Sequence, residues 1–212
     1  SVYLIDDGTH AVRSDEAGSA TLQVAGRPFT FATESFLQAN IGQVEALARR
    51  LDPGLSGPLF VDLYAGAGLF AFLLGRAFSR IICVEPDSRN ATFIAANTGG
   101  RAKVIAQGVE VALRSARGNS STKSHAGRLQ DDPDWNNATV MVDPPRTGLS
   151  KEVRRALVAN PPARLVYLSC DPTVLARDVA ELAPYYRLSS VDLYDFFPQT
   201  AHIESLVDMR RR

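Results

Sequence analysis

The pattern of hydrophobic and polar residues changes near residue 34, and its two parts predict different kinds of structure. Before that point, short apolar runs at 2–5, 20–25 and 28–32 alternate with turn-forming segments rich in Asp, Gly and Ala. Such runs are typical of a small β-meander. From residue 41 to residue 51, apolar residues recur at helical spacing, and Asp-Pro-Gly follows directly. We therefore predict a β-rich segment over 1–33 and a second domain over 34–212.

Strand-like and helical patterns alternate through the second domain. The predicted strands cover 59–64, 80–85, 102–106, 139–143 and 164–168, and the predicted helices cover 69–77, 87–97, 109–116, 151–159 and 173–182. Two last apolar runs, at 187–193 and 203–209, have no helix between them and are predicted to pair antiparallel. Five βα units closed by this hairpin predict an α/β fold with a doubly wound, mostly parallel seven-stranded sheet. Residues 117–137 are rich in Gly, Ser, Asn and Asp, which predicts an exposed, mobile insertion.

A glycine-rich turn follows the first predicted strand of this sheet. It contains Gly66 and Gly68, which allow a tight turn and close approach of the backbone to a ligand. The G-x-G spacing alone is weak evidence, because the third glycine and a phosphate-binding lysine are absent. However, Glu85 closes the second predicted strand, where an acidic residue is placed to bind ribose hydroxyls. Together these features favour a cofactor that contains adenosine.

The stretch from Leu165 to Thr173 places a cysteine where a buried strand meets a helix. Asp171 and Pro172 are typical of a helix N-cap and a first helical position. Partial positive charge at a helix N-terminus favours a thiolate, so Cys170 is a candidate nucleophile. The alternative is a small buried hydrophobic residue, which is the usual role of a free cysteine. Cys83 lies within an apolar strand, and we interpret it as a core residue.

The composition of the chain indicates a cellular location but does not identify a binding partner. Lys plus Arg and Asp plus Glu each number 23, so net charge gives no argument for a polyanionic partner. The two cysteines lie far apart and form no metal-ligand spacing, which favours a reducing, cytoplasmic location without a metal. We find no long apolar span and expect no membrane association. Because the chain starts within a strand-like pattern, we expect it to be a fragment of a longer protein.

Five motifs in order resemble those of the RNA uracil-carbon-5 methyltransferases, the family that makes 5-methyluridine in transfer and ribosomal RNA. They are Phe-Leu-Gln-Ala-Asn at 36–40, Asp to Gly at 62–68, Asp-Pro-Pro-Arg at 143–146, Ser-Cys-Asp-Pro at 169–172 and His-Ile-Glu-Ser at 202–205. The resemblance covers roughly residues 34–212. It implies a Rossmann-like methyltransferase domain that uses S-adenosylmethionine and acts on a tRNA or rRNA substrate.

The resemblance also implies roles for individual residues. Cys170 is the expected nucleophile, which forms a covalent adduct with uracil, and Glu204 is the expected base. The expected cofactor-binding residues are Gln38, Tyr64, Glu85 and Asp143. The chain departs from the family at Leu69, where the family often has an asparagine, so we expect no cofactor contact there. Family members usually also have an N-terminal oligonucleotide-binding barrel and a fuller central domain, and we expect residues 1–33 to be the remnant of that central domain.

Further residues are candidates for contacts with RNA. We expect the target base to leave its stack, and three aromatic side chains could stack on it: Phe36, Phe196 and Phe197. The basic candidates for phosphate contacts are Arg146, Lys151, Arg154, Arg155, Arg164 and the arginines at 210–212. The alternatives that remain open are a methyltransferase for another base, such as a cytosine-carbon-5 or amino-group enzyme, a non-catalytic RNA-binding module, and a nucleotide-dependent oxidoreductase.

Overall fold

The computed structural model describes residues 3–6, 10–14, 18–38, 40–114 and 129–212. In the N-terminal part, the described strands form an antiparallel sheet in the order β1-β2-β3-β4. Their bounds are Tyr3–Asp6 (β1), His10–Ser14 (β2), Ser19–Val24 (β3) and Arg27–Ala32 (β4). This sheet agrees with the predicted meander except for β2, which the sequence did not predict. With Ala11 and Val12 as its apolar residues, β2 lacks a recognisable strand pattern and is defined by pairing with its two neighbours.

Seven of the described strands form the central sheet, in the order β10-β11-β9-β8-β5-β6-β7. Their bounds are Gly57–Leu63 (β5), Phe78–Val84 (β6), Ala102–Ile105 (β7), Thr139–Val142 (β8), Arg164–Ser169 (β9), Tyr186–Tyr194 (β10) and Glu204–Arg211 (β11). Strands β5 to β9 pair in parallel, while β11 pairs antiparallel with both β9 and β10. The predicted doubly wound sheet and its closing hairpin are confirmed. Chain order reverses between β5 and β8, so the switch point lies there.

The described helices follow the predicted order and differ mainly at their ends. Their bounds are Ile41–Leu51 (α1), Leu69–Leu74 (α2), Ser88–Asn97 (α3), Val109–Ala112 (α4), Lys151–Ala159 (α5) and Pro172–Leu182 (α6). Helix α2 is shorter than predicted because the chain tightens into a 3₁₀ turn at 75–77 before β6. At Gly75 this turn lies against Ile81, where a Cβ atom would come within 2.6 Å of the isoleucine Cδ1.

The prediction of an exposed insertion over 117–137 is wrong at Leu129 and Trp135, whereas Asp131, Pro133, Asn136 and Asn137 are exposed. Residues 117–128 lie outside the described part. Leu129 and Trp135 are buried in the core, each on a short 3₁₀ turn. The Trp135 indole N–H also donates to the Asn160 carbonyl oxygen at 2.8 Å. Isolated apolar residues in a polar stretch carry no periodic signal, so only the packing reveals that this segment covers the sheet.

The N-terminal sheet packs against the larger domain through a shared hydrophobic layer. Val24 and Phe29 lie in the same buried cluster as Val44 of α1 and Phe72 of α2. The guanidinium of Arg27 stacks over the Phe72 ring at 3.8 Å. The division into domains at residue 33 therefore remains a prediction. The N-terminal sheet and the larger domain share one hydrophobic core.

A single amide connects the N-terminal sheet to the glycine-rich turn. The side chain of Asn97 donates to the carbonyl oxygens of Thr30 and Ala67, and it accepts from the Thr30 N–H. Because Ala67 lies between the two glycines of the turn, β4 and α3 together support the backbone that follows β5.

Candidate active site

A cavity of about 570 Å³ opens beyond the carboxyl ends of the parallel strands, at the switch point. All six residues that the sequence predicts for the site line this cavity: Gln38, Tyr64, Glu85, Asp143, Cys170 and Glu204. They come from segments spread over most of the chain. The fold therefore places the predicted residues around one space that is large enough for a small ligand.

The glycine-rich turn has a left-handed backbone conformation that most residue types rarely adopt. Tyr64, Gly66 and Gly68 have φ values of 63°, 53° and 85°, all in the left-handed region. At Gly68 a Cβ atom would come within 3.1 Å of the Ile94 side chain, whereas nothing lies within 4 Å at Gly66. The open space beside Gly66 allows a ligand to approach the backbone closely.

Glu85 fixes this turn from the end of β6. One carboxylate oxygen accepts from the Gly66 N–H at 2.9 Å, and the other accepts from the Asp87 N–H at 3.0 Å and the Asn90 amide at 3.3 Å. A carboxylate oxygen has two lone pairs, so the oxygen bound to Gly66 can accept one more hydrogen bond. Asn90 also lines the cavity. No sequence pattern pointed to Asn90, because its role depends on the helical turn that brings it beside Glu85.

Gln38, which is buried, and Asp143, which is partly buried, form a pair that joins the segment before α1 to the end of β8. The Gln38 amide nitrogen donates to an Asp143 carboxylate oxygen at 2.9 Å. Burial raises the pKa of Asp143 to about 6, and the hydrogen bond from Gln38 partly opposes this rise. Within the described residues, the Gln38 amide oxygen is buried and has no hydrogen-bond partner. An orphaned buried acceptor is unfavourable by roughly 1–3 kcal/mol, so this oxygen is a favourable contact for a ligand that donates a hydrogen bond.

Cys170 directly follows β9, and Asp171 caps α6 as the sequence predicts. The Asp171 carboxylate accepts from the N–H groups of Thr173 and Val174 at 2.9 and 3.0 Å. Cys170 is a partly exposed free thiol that lines the cavity. However, burial and the nearby Glu204 carboxylate raise the pKa of the Cys170 thiol above its ordinary value, although Arg146 partly opposes them. The expectation of a favoured thiolate is therefore wrong for the free protein, because desolvation outweighs the helix N-terminus.

Glu204 begins β11 and lies at the inner end of the same cavity. It is 2% exposed, and one of its oxygens has no hydrogen-bond partner among the described residues. Burial, with repulsion from Asp143, raises the pKa of Glu204 to about 7, and Arg146 opposes the rise. A carboxylate with a pKa near neutrality is suited to proton transfer, because both protonation states are populated at working pH.

Two of the three predicted stacking residues lie at the cavity. Phe36 is 76% exposed and lines it, as does Phe197, whose ring contacts the His202 ring edge-on at 6.1 Å. Phe196 is instead buried against Tyr194, with ring centroids 6.1 Å apart. The prediction for Phe196 is therefore wrong, because its ring is buried in the hydrophobic core and does not line the cavity.

Two of the predicted phosphate-binding arginines are part of the core. Arg154 pairs with Asp178 at 3.1 Å and with Glu181 at 2.8 Å. Arg164 forms a bidentate pair with Asp208, both bonds measuring 2.8 Å. Their predicted phosphate contacts are wrong because buried carboxylates already bind both guanidinium groups. Lys151 and Arg155 are exposed on α5, and their contacts with RNA stay a prediction.

The described residues contain no group of three or more His, Cys, Asp or Glu side chains placed to hold a metal ion. Over the same part of the chain, no helix combines the length and apolar character that crossing a bilayer requires.

Comparisons with known proteins identify the family to which this chain belongs. A sequence model described as tRNA (Uracil-5-)-methyltransferase matches residues 8–212. The tRNA/tmRNA (uracil-C(5))-methyltransferase of Musicola paradisiaca is 33% identical over 202 residues, which cover 90% of this chain and 53% of the relative. An uncharacterized RNA methyltransferase of Synechocystis is 31% identical over 208 residues, covering 91% of this chain and 42% of the relative. This chain thus spans about half the length of these curated relatives.

A solved structure supports the same fold. It is the Pyrococcus abyssi tRNA (uracil-54, C5)-methyltransferase in complex with S-adenosyl-L-homocysteine, with a TM-score of 0.69 at 23% identity. The similarity covers 94% of this chain and 46% of that one. The resemblance predicted from five motifs is confirmed, and the match extends into the N-terminal segment. The chain belongs to the tRNA (uracil-5-)-methyltransferase family.

Proposed function

We propose that this protein transfers a methyl group from S-adenosylmethionine to carbon 5 of a uridine in transfer or ribosomal RNA, through a covalent adduct between Cys170 and uracil. The observation that carries this proposal is the arrangement of a thiol and a carboxylate in one cavity with a glycine-rich turn. Cys170 supplies the nucleophile, and Glu204, with a pKa near 7, supplies the base. Family membership supports the same reaction.

The residues of the cavity fit S-adenosylmethionine. Glu85 has a lone pair free for a ribose hydroxyl, and Gly66 leaves open space beside the backbone. The orphaned oxygen of Gln38 suits a donor such as an amino group, and the carboxylate of Asp143 favours a cationic ligand. Tyr64 adds an aromatic wall. When bound, this cofactor supplies an electrophilic methyl group on a positively charged sulfur.

The protein's own groups then perform the steps on uracil. Carbon 5 of uracil is a weak nucleophile, so the Cys170 thiolate first forms a bond to carbon 6 and moves an electron pair into an enolate. The enolate makes carbon 5 nucleophilic enough to accept the methyl group. Glu204 then takes the proton from carbon 5, the double bond re-forms, and the thiolate leaves carbon 6. The raised pKa of Cys170 means that its proton must be lost before the first step.

The target uridine must leave its stack to reach a thiol inside the cavity. Phe36 and Phe197 line the cavity and offer aromatic surfaces to a base that has left its neighbours. Stacking on an aromatic side chain contributes on the order of 1–3 kcal/mol per base. We therefore assign these two rings to holding the extruded base.

The decisive experiment is mass spectrometry of the protein incubated with S-adenosylmethionine and a short RNA containing 5-fluorouridine. Fluorine cannot be removed as a proton, so the reaction stops at a methylated protein–RNA adduct. We expect the adduct with the wild type and with Cys83→Ala, which removes the buried core thiol, but not with Cys170→Ala. Absence of the wild-type adduct despite measurable cofactor binding would contradict the proposal. An adduct on 5-fluorocytidine RNA instead would indicate a cytosine-carbon-5 enzyme.

A further inference from the structure

The cavity holds one cation among its described lining residues, and that cation has no hydrogen-bond or ion-pair partner in the described part of the chain. The ionisable lining residues include three carboxylates, from Glu85, Asp143 and Glu204, and the guanidinium of Arg146. Arg146 is exposed, and within the described residues it forms no hydrogen bond and no ion pair within 4 Å. By contrast, Arg154 and Arg164 are fully engaged in ion pairs. The Arg146 donors are therefore available to a ligand.

The position of Arg146 in the cavity is close to the proposed reaction. Its charge acts electrostatically on both the Cys170 thiol and the Glu204 carboxyl group. These are the two groups to which uracil must be adjacent during the proposed reaction. Arg146, Cys170 and Glu204 also line the same cavity, so a base held there is adjacent to all three residues.

The backbone that carries Arg146 is fixed on both sides, although its side chain is free. Two prolines precede it, which restrict the chain directly after β8. After it, the Leu149 N–H donates to the buried carboxylate of Asp178 at 2.8 Å, and Arg177 donates to the Thr147 carbonyl oxygen at 3.0 Å. Because the backbone is fixed, only the side-chain rotamers of Arg146 must be ordered during a reaction.

The proposed addition step generates negative charge, and Arg146 is the one cationic hydrogen-bond donor among the described residues that line the cavity. When the thiolate bonds to carbon 6, the carbon 5–carbon 6 π pair forms a carbon 4–carbon 5 double bond. The carbonyl π pair at carbon 4 then moves onto its oxygen. That oxygen needs a hydrogen-bond donor, and the carboxylates of the cavity would repel it. A phosphate is the other anion that Arg146 could bind, but Arg146 lines the same cavity as the Cys170 thiol, which favours the base.

We propose that Arg146 is a catalytic residue that donates a hydrogen bond to the carbon 4 carbonyl oxygen of uracil and stabilises the enolate formed by Cys170 addition; this inference rests on the proposed function. The guanidinium donates a hydrogen bond without giving up its proton, so the step adds no proton transfer. Removing one donor to a developing oxyanion typically slows a reaction on the order of 10²–10³-fold. The expected loss is in the rate at saturating RNA and not in RNA affinity.

The test measures single-turnover adduct formation on 5-fluorouridine RNA, together with the RNA dissociation constant at several salt concentrations. We expect Arg146→Gln to slow the saturating rate by about 10²-fold, with an unchanged dissociation constant and salt dependence. Arg146→Lys should recover part of the rate, because it restores a cationic donor. Arg76→Gln is the matched control, since Arg76 lies before β6 at the opposite end of the sheet, and it should react like the wild type.

Two outcomes would overturn the inference, and they are distinct from failure of the proposed function. If Arg146→Gln weakens RNA binding and lowers the salt slope by about 1 while the saturating rate is unchanged, Arg146 contacts a phosphate. If rate and affinity are both those of the wild type, Arg146 has no role in this step. A wild type that forms no adduct would instead reject the proposed function, and this inference with it. Cofactor affinity and the unfolding midpoint of each variant show whether the fold is retained.

Discussion

Cys170 stands opposite Glu204, one position beyond the Ser169–Ser205 pair of the antiparallel strands β9 and β11. The hairpin of β10 and β11 therefore brings the proposed base to the proposed nucleophile. Because Glu204 begins its strand where β9 ends, both side chains are at the edge of the sheet that opens into the cavity. A strand order that paired β9 with β10 instead would remove this arrangement.

We expect Glu204→Gln to stop the reaction after methyl transfer. Without a base, the proton on carbon 5 remains and the bond between Cys170 and carbon 6 persists. On ordinary uridine RNA, a covalent protein–RNA band should accumulate on a denaturing gel, with turnover reduced on the order of 10²–10⁴-fold. Glu152→Gln, at an exposed position of α5, is the control and should turn over normally. Loss of activity without the band would mean that Glu204 acts before methyl transfer.

The rate of adduct breakdown should depend on pH through Glu204. Its pKa is raised to about 7, and only the deprotonated carboxylate can accept the proton. The rate should therefore rise with pH through a midpoint near 7 and become constant above it. Rapid-quench measurements of adduct decay between pH 5.5 and pH 8.5, as an assay range of about three units, would show this profile. A rate that is flat over this range would contradict the assignment of Glu204 as the base.

Asp62 should make the protein less stable as pH rises. This residue is fully buried in β5, and burial raises its pKa to about 8, although the Ala71 N–H donates to it. Between its unfolded pKa of about 4 and its folded pKa, the folded state binds more protons than the unfolded state, so the free energy of unfolding falls. The slope is at most about 1.4 kcal/mol per pH unit. Asp62→Asn should flatten the dependence in urea unfolding at pH 5, 6, 7 and 8, and an unchanged slope would contradict the raised pKa.

Gln38→Ala should weaken cofactor binding, since it removes both the orphaned oxygen and the donor to Asp143. A lost hydrogen bond of about 1–1.5 kcal/mol corresponds to roughly tenfold weaker binding. Losing the Gln38 donor should also raise the pKa of Asp143 further. Calorimetric titration with S-adenosyl-L-homocysteine would measure the change. Gln107→Ala, at an exposed position after β7, is the control, and equal affinities for the two variants would exclude Gln38 from the cofactor site.

Gly148→Ala should destabilise the protein more than Gly100→Ala does, although the two glycines have similar φ values of 75° and 73°. An added Cβ at Gly148 would come within 2.4 Å of the Val174 side chain and 2.6 Å of an Asp178 oxygen. At Gly100 it would meet nothing within 4 Å. The left-handed backbone alone costs roughly 1–2 kcal/mol, and the clash adds to it only at Gly148. Urea unfolding of both variants measures the difference in the free energy of unfolding. Equal decreases would show that the side chains of α6 move aside at little cost.

The sequence by itself determined the order of strands and helices and most of the site. Alternating apolar patterns predicted the five βα units and the final hairpin, because strand and helix periodicity is a local property of the chain. Asp171 and Pro172 predicted the start of α6 for the same local reason. Glu85 and the glycine turn were placed together because parallel strands end at one edge of a sheet. These predictions needed no knowledge of distant contacts.

The tertiary structure decided which polar groups are buried and what they contact. Gln38 reaches Asp143 across 105 positions of the sequence, and Trp135 fills the core from a segment with no apolar periodicity. Arg154 carries the same charge as Arg146, but only Arg146 is left free for a ligand. Likewise, the pKa of Cys170 rises although its place before a helix suggested the opposite. Desolvation and pairing depend on side chains that come from distant parts of the chain, so only the assembled fold fixes them.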